Sequence, residues 1–269
     1  MSDIASNQSV DRAISVLLTF STGRPQLRMS DVCEITGLGT STASRMLSTL
    51  ATVGFVDRDP VSGLYQLGPR LVTLGGVALN QSPIYREARQ TALDLAGDLG
   101  LGVNVAVRQQ ASVFYLLNFG GRLSPRSFTM AGQQNPLHAT GLGKCLLANL
   151  SSEERRELLP APEMHAFTSR TITTHDVMDA EMERLAERGY VIEFEELALG
   201  RACVAAPIRD RSSTIVAAMS ISGPLSAIDL EGREEELARR IVETTDLIST
   251  KLGYVVSRDP RLHAVTAHA

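Results

Sequence analysis

At about 100° per residue, Ser41, Arg45, Ser48 and Thr52 fall on one side of a helix, with Ser44 at its flank. Small hydroxyls reach phosphates or base edges without steric bulk, and arginine can pair bidentately with guanine O6 and N7. Thr40, Ser41 and Thr42 open the same segment, where free backbone N–H groups suit a phosphate. Arg58 follows in a stretch of hairpin character, within reach of a DNA backbone or minor groove.

Other residue sets look reactive but lack the spacing that chemistry needs. Gly141-Leu-Gly143-Lys144 resembles the end of a phosphate loop, yet His138 replaces its first glycine and Cys145 its hydroxyl residue. Ser220-Ile-Ser222-Gly223 lacks the leading glycine of a nucleophile elbow. Cys203 has no histidine nearby in sequence and reads as a core thiol. The histidines (His138, His165, His175, His263, His268) show no paired metal-ligand spacing, so no metal site is expected. Glu193, Glu195 and Glu196 read as the solvated end of a strand. No nucleophile–base pair assembles, so no catalytic residues and no cofactor are expected.

The elements that would hold the hydroxyl–arginine face are legible. Residues 9–19 carry a broad apolar helical face, and residues 29–36 a second short helix with Met29, Val32, Cys33 and Ile35 inward. Gly37-Leu38-Gly39 makes the turn, with a glycine able to take positive φ. The third helix then buries Ala43, Met46, Leu47, Leu50 and Val53 as one stripe. Two short strands, 55–58 and 64–67, flank a turn over 59–63. Helix, helix, turn, helix, hairpin is the order of a winged helix-turn-helix. After a polar break at 78–83 the pattern changes. A helix over 83–98 precedes strands at 103–108 and 113–118, and an irregular stretch over 120–136 follows. Helices are expected over 152–159, 176–189 and 230–252, with strands at 190–194, 202–208 and 214–221. That mixture is α+β, an antiparallel sheet covered by helices.

Composition limits the remaining readings. The 269 residues suggest two domains, and 43% apolar with 21% charged content is ordinary globular usage. A net charge of −4 excludes a wholesale nucleic-acid-coating protein. Residues 1–80 hold six arginines (Arg12, Arg24, Arg28, Arg45, Arg58, Arg70) against six acids, so this segment is neutral. One copy would therefore bind DNA poorly, and useful affinity calls for two or more copies on a roughly palindromic site. Three scattered cysteines form no disulfide framework, and no apolar run suits a membrane span. A cytoplasmic protein with no membrane partner is expected.

Five separated motifs then carry a family resemblance over about residues 8–253. Gln8-Ser-Val-Asp-Arg-Ala-Ile14 and Gly37-Leu-Gly-Thr-Ser-Thr-Ala-Ser-Arg-Met-Leu47 resemble the DNA-binding domain of IclR-family transcriptional regulators. Asn135-Pro-Leu-His-Ala-Thr-Gly-Leu-Gly-Lys144, Gly189-Tyr-Val with Gly200-Arg-Ala-Cys-Val-Ala-Ala-Pro207, and Ser220-Ile-Ser-Gly-Pro224 resemble that family's effector domain. Gly39 and Thr40 depart from the family's usual proline and lysine, removing a positive charge.

The resemblance implies a winged helix-turn-helix over 1–68, a linker helix over 69–80 and a GAF/PAS-like antiparallel-sheet effector-binding domain over 81–255. A flexible tail is expected over 256–269. It implies a homodimer or dimer of dimers on a palindromic double-stranded DNA operator. Thr40, Ser41, Thr42, Ser44, Arg45, Ser48 and Arg58 are the DNA-binding candidates. It also implies a small-molecule effector, an organic or aromatic acid or a related metabolite. Its pocket would be lined by Gly141, Leu142, Glu193, Cys203, Ser220 and Ser222, and closed by Met130. Glu193 stands where the family often has aspartate, which suits a ligand with a donor such as a phenol, an amine or a hydrazide. The competing readings are a metabolite-transforming enzyme with an accessory DNA-binding domain, and an architectural DNA-binding protein without a ligand.

Overall fold

The computed structural model describes residues 7–124 and 130–255, so the tail expected over 256–269 lies outside the described residues. Backbone contacts divide the chain into two units, Met1–Gln81 and Ser82–Ala269.

The first unit contains α1 (Gln8–Leu17), β1 (Gln26–Leu27), α2 (Met29–Thr36), α3 (Thr40–Thr52), β2 (Val56–Arg58), β3 (Tyr65–Leu67) and α4 (Pro69–Gln81). Asn7 caps α1, its side-chain oxygen accepting the Ser9 N–H at 3.1 Å. At the start of α2 the Asp31 carboxylate accepts the Arg28 N–H at 2.7 Å, and Gly37 ends that helix at φ 69°. Val16, Phe20, Leu27, Val32, Met46, Leu47, Leu50 and Val56 close one small core. Two expected core residues lie outside it: Ile35 is 44% and Val53 49% exposed. Ile35 falls about 60° beyond Val32 around an eight-residue helix, off the packed face. Val53 is already the cap residue of α3, and the chain reverses at Gly54 (φ 75°) to offer Phe55 to the core instead. The two-residue β1 was not expected. It pairs with β3, giving a three-stranded antiparallel sheet in the order β1-β3-β2.

The second unit runs α5 (Pro83–Leu99), β4 (Gly102–Gln109), β5 (Ser112–Phe119), β6 (Gln134–Pro136), α6 (Gly141–Leu147), α7 (Ser152–Leu158), α8 (His175–Arg188), β7 (Val191–Phe194), β8 (Arg201–Arg209), β9 (Ile215–Pro224), α9 (Leu225–Ile228) and α10 (Leu230–Lys251). Its six strands form one antiparallel sheet in the order β6-β5-β4-β9-β8-β7. Neither β6, an edge strand ending in proline, nor the four-residue α9 is long enough to leave a periodic signal.

Register divides the sheet into two unlike faces. Val103, Ile221 and Val204 line up across one, beside Val105, Met219 and Ala206, all fully buried and covered by α5 and α10. On the other face Asn118, Asn104, Ser220, Ala205 and Val191 form one cross-strand row, and Gly102, Ser222, Cys203 and Glu193 the next. Here α6 and α8 supply the cover through Leu142, Cys145, Leu146, Met178, Met182 and Leu185.

Close approach of backbones fixes α6 in place. A Cβ on Gly143 would sit 2.1 Å from the Leu137 carbonyl oxygen, which cannot move aside. Gly143→Ala is expected to cost about 1–3 kcal/mol, as overpacking does, against the ~1 kcal/mol gain of a free helix position. Gly75→Ala in α4, where an added Cβ meets nothing within 4 Å, should show that gain. Urea midpoints of the two variants should move in opposite directions.

Candidate functional site

In the first unit, α3 buries Ala43, Met46, Leu47 and Leu50 and turns Thr40, Ser41, Ser44, Arg45 and Ser48 to solvent, with Thr42 half-buried. Thr49 and Thr52 donate their hydroxyls back to the Arg45 and Ser48 carbonyls of the same helix, at 2.9 and 3.0 Å. The hydroxyls of Thr40, Ser41, Ser44 and Ser48 have no such bond among the described residues, so they face outward with donors unused. Arg58 stands exposed on β2; its Nε donates to the Gly63 carbonyl at 3.4 Å and its guanidinium lies 5.5 Å from the Tyr65 ring centroid. The Asp59 carboxylate ties the turn below it, accepting the Ser62 and Val61 N–H groups at 2.6 and 2.9 Å. Those bonds, Ser62's first, hold its pKa below the ordinary value. A shaped face of hydroxyls around one arginine, with a second arginine on an ordered hairpin, can read a duplex groove.

In the second unit, the polar rows of the sheet face the start of α6 across a cavity of about 110 Å³. Asn104 Nδ2 donates to Ser220 Oγ at 3.3 Å and to Ser222 Oγ at 3.2 Å, while its Oδ1 accepts from Asn118 Nδ2 at 2.5 Å. Each serine oxygen is thus an acceptor toward Asn104, and its own proton is left to donate elsewhere. Opposite them Thr140 caps α6, accepting the Gly143 N–H at 3.0 Å and donating to the Pro136 carbonyl at 3.0 Å. Gly141 lies so near the sheet that an added Cβ would meet Cys203 Sγ at 2.8 Å. Burial, with the Glu193 charge second, pushes the Cys203 thiol well above its ordinary pKa, which makes it an inert wall. Tyr115 also lines the cavity; Asn135 Nδ2 donates to its hydroxyl at 3.1 Å, and burial pushes its pKa up to about 12.

The carboxylates overturn the solvated-edge expectation. Glu193 and Glu196 are 8% and 7% exposed, because α6 and α8 close over the edge strand β7. Glu193 Oε1 accepts the N–H groups of Glu196 at 2.7 Å and Leu197 at 3.3 Å; burial raises its pKa more than these bonds lower it. Glu196 Oε1 accepts from Lys144 Nζ at 2.5 Å, and burial still pushes its pKa up to about 6. Glu195 takes φ 56° between them; its carboxylate accepts the Gly200 N–H at 2.7 Å and meets Arg170 Nε at 3.3 Å.

Gly141, Leu142, Glu193, Cys203, Ser220 and Ser222 all line this one cavity. Met130 does not: it is 50% exposed and sits in a turn, its N–H donating to Gln133 Oε1 at 3.2 Å. Sequence reasoning missed the polar lining residues Asn104, Tyr115, Asn135, Thr140 and Arg201, and the apolar Leu197 and Ala202. Asn104 had a signal, a lone amide inside the apolar run Gly102-Val-Asn-Val-Ala-Val107. Arg201 had one too, since it shares a strand face with Cys203 two residues on.

Comparison with known proteins bears on both sites. The family profile for the "IclR helix-turn-helix domain" matches residues 9–60, and that for "Bacterial transcriptional regulator IclR C-terminal" matches residues 76–250. The chain is 30% identical over 250 residues to the HTH-type transcriptional regulator XynR of Escherichia coli K12, covering 92% of this chain and 98% of that protein. The crystal structure of the Thermotoga maritima IclR superposes with a TM-score of 0.79 at 28% identity, over 91% of this chain and 99% of that one. An IclR homolog of Microbacterium hydrocarbonoxydans, crystallised in complex with 4-hydroxybenzoate, superposes with a TM-score of 0.80 at 25% identity, over 91% and 99%.

Proposed function

The chain belongs to the IclR family of bacterial transcriptional regulators, and from that premise we propose that it binds a palindromic operator as a dimer and releases or grips it in response to a small organic acid. In this reading residues 1–68 read DNA, 69–80 link, and 81–255 sense the effector. Thr40, Ser41, Thr42, Ser44, Arg45, Ser48 and Arg58 contact the duplex.

Dimerisation is supported by apolar side chains that the first unit leaves uncovered. Val10, Ile14 and Leu18 recur at helical spacing along α1 and are 52%, 48% and 78% exposed; Val72 and Val77 on α4 are 78% and 53% exposed. A second copy of this chain is the partner that would bury them, and it doubles the DNA contacts of a unit whose first 80 residues carry no net charge.

The observation that carries the ligand reading is the pair of serine protons left unused opposite Gly141, inside a cavity too small for most metabolites. A cavity of roughly 150 Å³ holds a benzene, so about 110 Å³ suits a short acid, or a ring only with some opening. The Microbacterium homolog's 4-hydroxybenzoate shows what chemistry that related protein accepts.

Replacing Ser220 and Ser222 with alanine is expected to weaken the ligand response at least tenfold, as losing two charge-assisted donors should. Operator affinity in the absence of ligand should stay unchanged. The operator would come from selection on a random duplex library at fixed salt, and ligand-driven release would be followed by fluorescence anisotropy. An unchanged dose response in the double variant would place the effector elsewhere.

A further inference from the structure

Among the residues lining the effector cavity, Arg201 is the single cation and Glu193 the single anion. They stand on one sheet face: Glu193 lies opposite Cys203, and Arg201 is two residues along β8 from that cysteine. Their Cα atoms are therefore diagonal neighbours, roughly 7–8 Å apart; Ser222 flanks Cys203 from the opposite strand, diagonal to Arg201 and two strands from Glu193. Arg201 makes no ion pair among the described residues. Glu193 has Oε1 occupied by two backbone N–H groups, and its carboxylate also accepts from the weak donor Cys203 thiol, which a stronger ligand donor can displace or supplement.

We propose that this pair sorts ligands by their two ends, Arg201 taking a carboxylate and Glu193 taking a hydroxyl or ammonium donor about one cavity length away. The effector is then a hydroxy acid or amino acid with separated ends, not a plain monocarboxylic acid. This rests on the reading of the cavity as the effector site. A plain acid would satisfy Arg201 but lay an apolar tail against a buried carboxylate, displacing water from it and supplying no new donor beyond its two backbone N–H groups and the Cys203 thiol. An uncharged alcohol or amide would leave the guanidinium facing no anion. Burial raises the Glu193 pKa, and the backbone N–H groups of Glu196 and Leu197, then the Lys144 charge, oppose that rise. The hydroxyls of Ser220 and Ser222 lie on the same face and add donors to the carboxylate. Bidentate geometry makes Arg201 a recogniser of planar carboxylates rather than a diffuse positive charge.

The test uses the full-length protein and calorimetric titration with two probe series. One is a ring series of 4-hydroxybenzoate, benzoate and 4-hydroxybenzamide. The other is a chain series of 4-hydroxybutyrate, butyrate and 4-hydroxybutyramide. In at least one series the hydroxy acid should bind tenfold or more tighter than both truncated partners, and which series does so reports the length the cavity accepts. Arg201→Gln, at a partly exposed position, should keep the fold and bring the acid-to-amide affinity ratio to about one. It should leave the preference for the hydroxyl intact. An unchanged ratio in Arg201→Gln, equal binding of hydroxylated and plain acids, or no binding by any of the six overturns the proposal. Affinity unchanged by alanine at both Ser220 and Ser222 brings down the cavity assignment itself. Loss there, with an unchanged acid-to-amide ratio in Arg201→Gln, brings down only the sorting role.

Discussion

Lys144→Ala is expected to lower the unfolding free energy of the second unit by about 3–5 kcal/mol at pH 8, and by clearly less at pH 5. Lys144 is 1% exposed, and its ammonium donates to Glu196 Oε1 at 2.5 Å and to the Ile192 carbonyl at 3.3 Å, with Glu181 at 3.5 Å. Removing it strands a buried carboxylate whose other oxygen already has no partner among the described residues, and frees the carbonyl of an edge strand. Glu181 suffers less, because Arg184 holds it at 2.6 Å. The pH dependence follows from Glu196. Its folded pKa, about 6, exceeds the ordinary 4.5, so its contribution to stability is greatest below 4.5 and declines as pH rises through 6. Lys144 is among the groups that lower that pKa. Without it the folded value climbs, the decline continues to higher pH, and the gap between variant and parent widens. Urea unfolding at both pH values checks this. Equal losses at pH 5 and pH 8 would show that lost packing, not lost charge pairing, causes the effect. Lys144→Met combined with Glu196→Leu should recover much of the loss, since an apolar pair of similar volume often replaces a buried ion pair without cost.

The second large effect belongs to Arg45. Arg45→Ala should reduce specific operator binding by roughly 2–6 kcal/mol for a dimer, taking about 1–3 kcal/mol for each bidentate arginine–guanine pair. That is between about one and a half and four decades of affinity. The residue is exposed on α3 and outside the small core, so folding should be unaffected. Binding to a scrambled duplex should fall far less, because one phosphate-range charge per copy changes the nonspecific term only slightly. Arg45→Lys distinguishes the two roles. It preserves charge but not the planar fork, so operator preference should stay lost even as nonspecific binding returns. Competition between operator and scrambled duplex at one stated salt concentration reads both. An Arg45→Ala protein that still prefers its operator would remove α3 from base reading.

Much of this was open to sequence reasoning, and the failures have physical causes. The stripe Ala43, Met46, Leu47 and Leu50 is a helical period uninterrupted by cofactor or edge effects, so α3 and its outward hydroxyls were readable. The motifs around Gly141, Cys203 and Ser220 fall in three distant segments, and family resemblance gathered them where periodicity could not. What stayed hidden depends on contacts made far along the chain. Glu193 and Glu196 look solvated in a local window, and only Lys144, 52 residues before Glu196, explains how a strand end bearing three acids can be buried. Val53 failed for a local reason: an extrapolated helical stripe ignores the cap at which the helix ends. Met130 was expected to close the pocket from its place in the preceding loop and its adaptable apolar side chain, but it is half exposed and is not among the residues lining the cavity.

The two faces of the large sheet have a consequence for how such a sensor changes over generations. The cavity-lining side chains of the sheet come from neighbouring cross-strand rows of one face, while Val103, Ile221 and Val204 on the reverse are wholly enclosed. Replacing a hydroxyl, thiol or charge on one side leaves the packing on the other untouched. On the proposed reading of the cavity as the effector site, a lineage can exchange the compound it answers to by a few substitutions at small folding cost, keeping one architecture throughout. Positions 104, 193, 201, 203, 220 and 222 are where paralogues that have drifted to different signals should differ most, while their reverse-face neighbours stay alike.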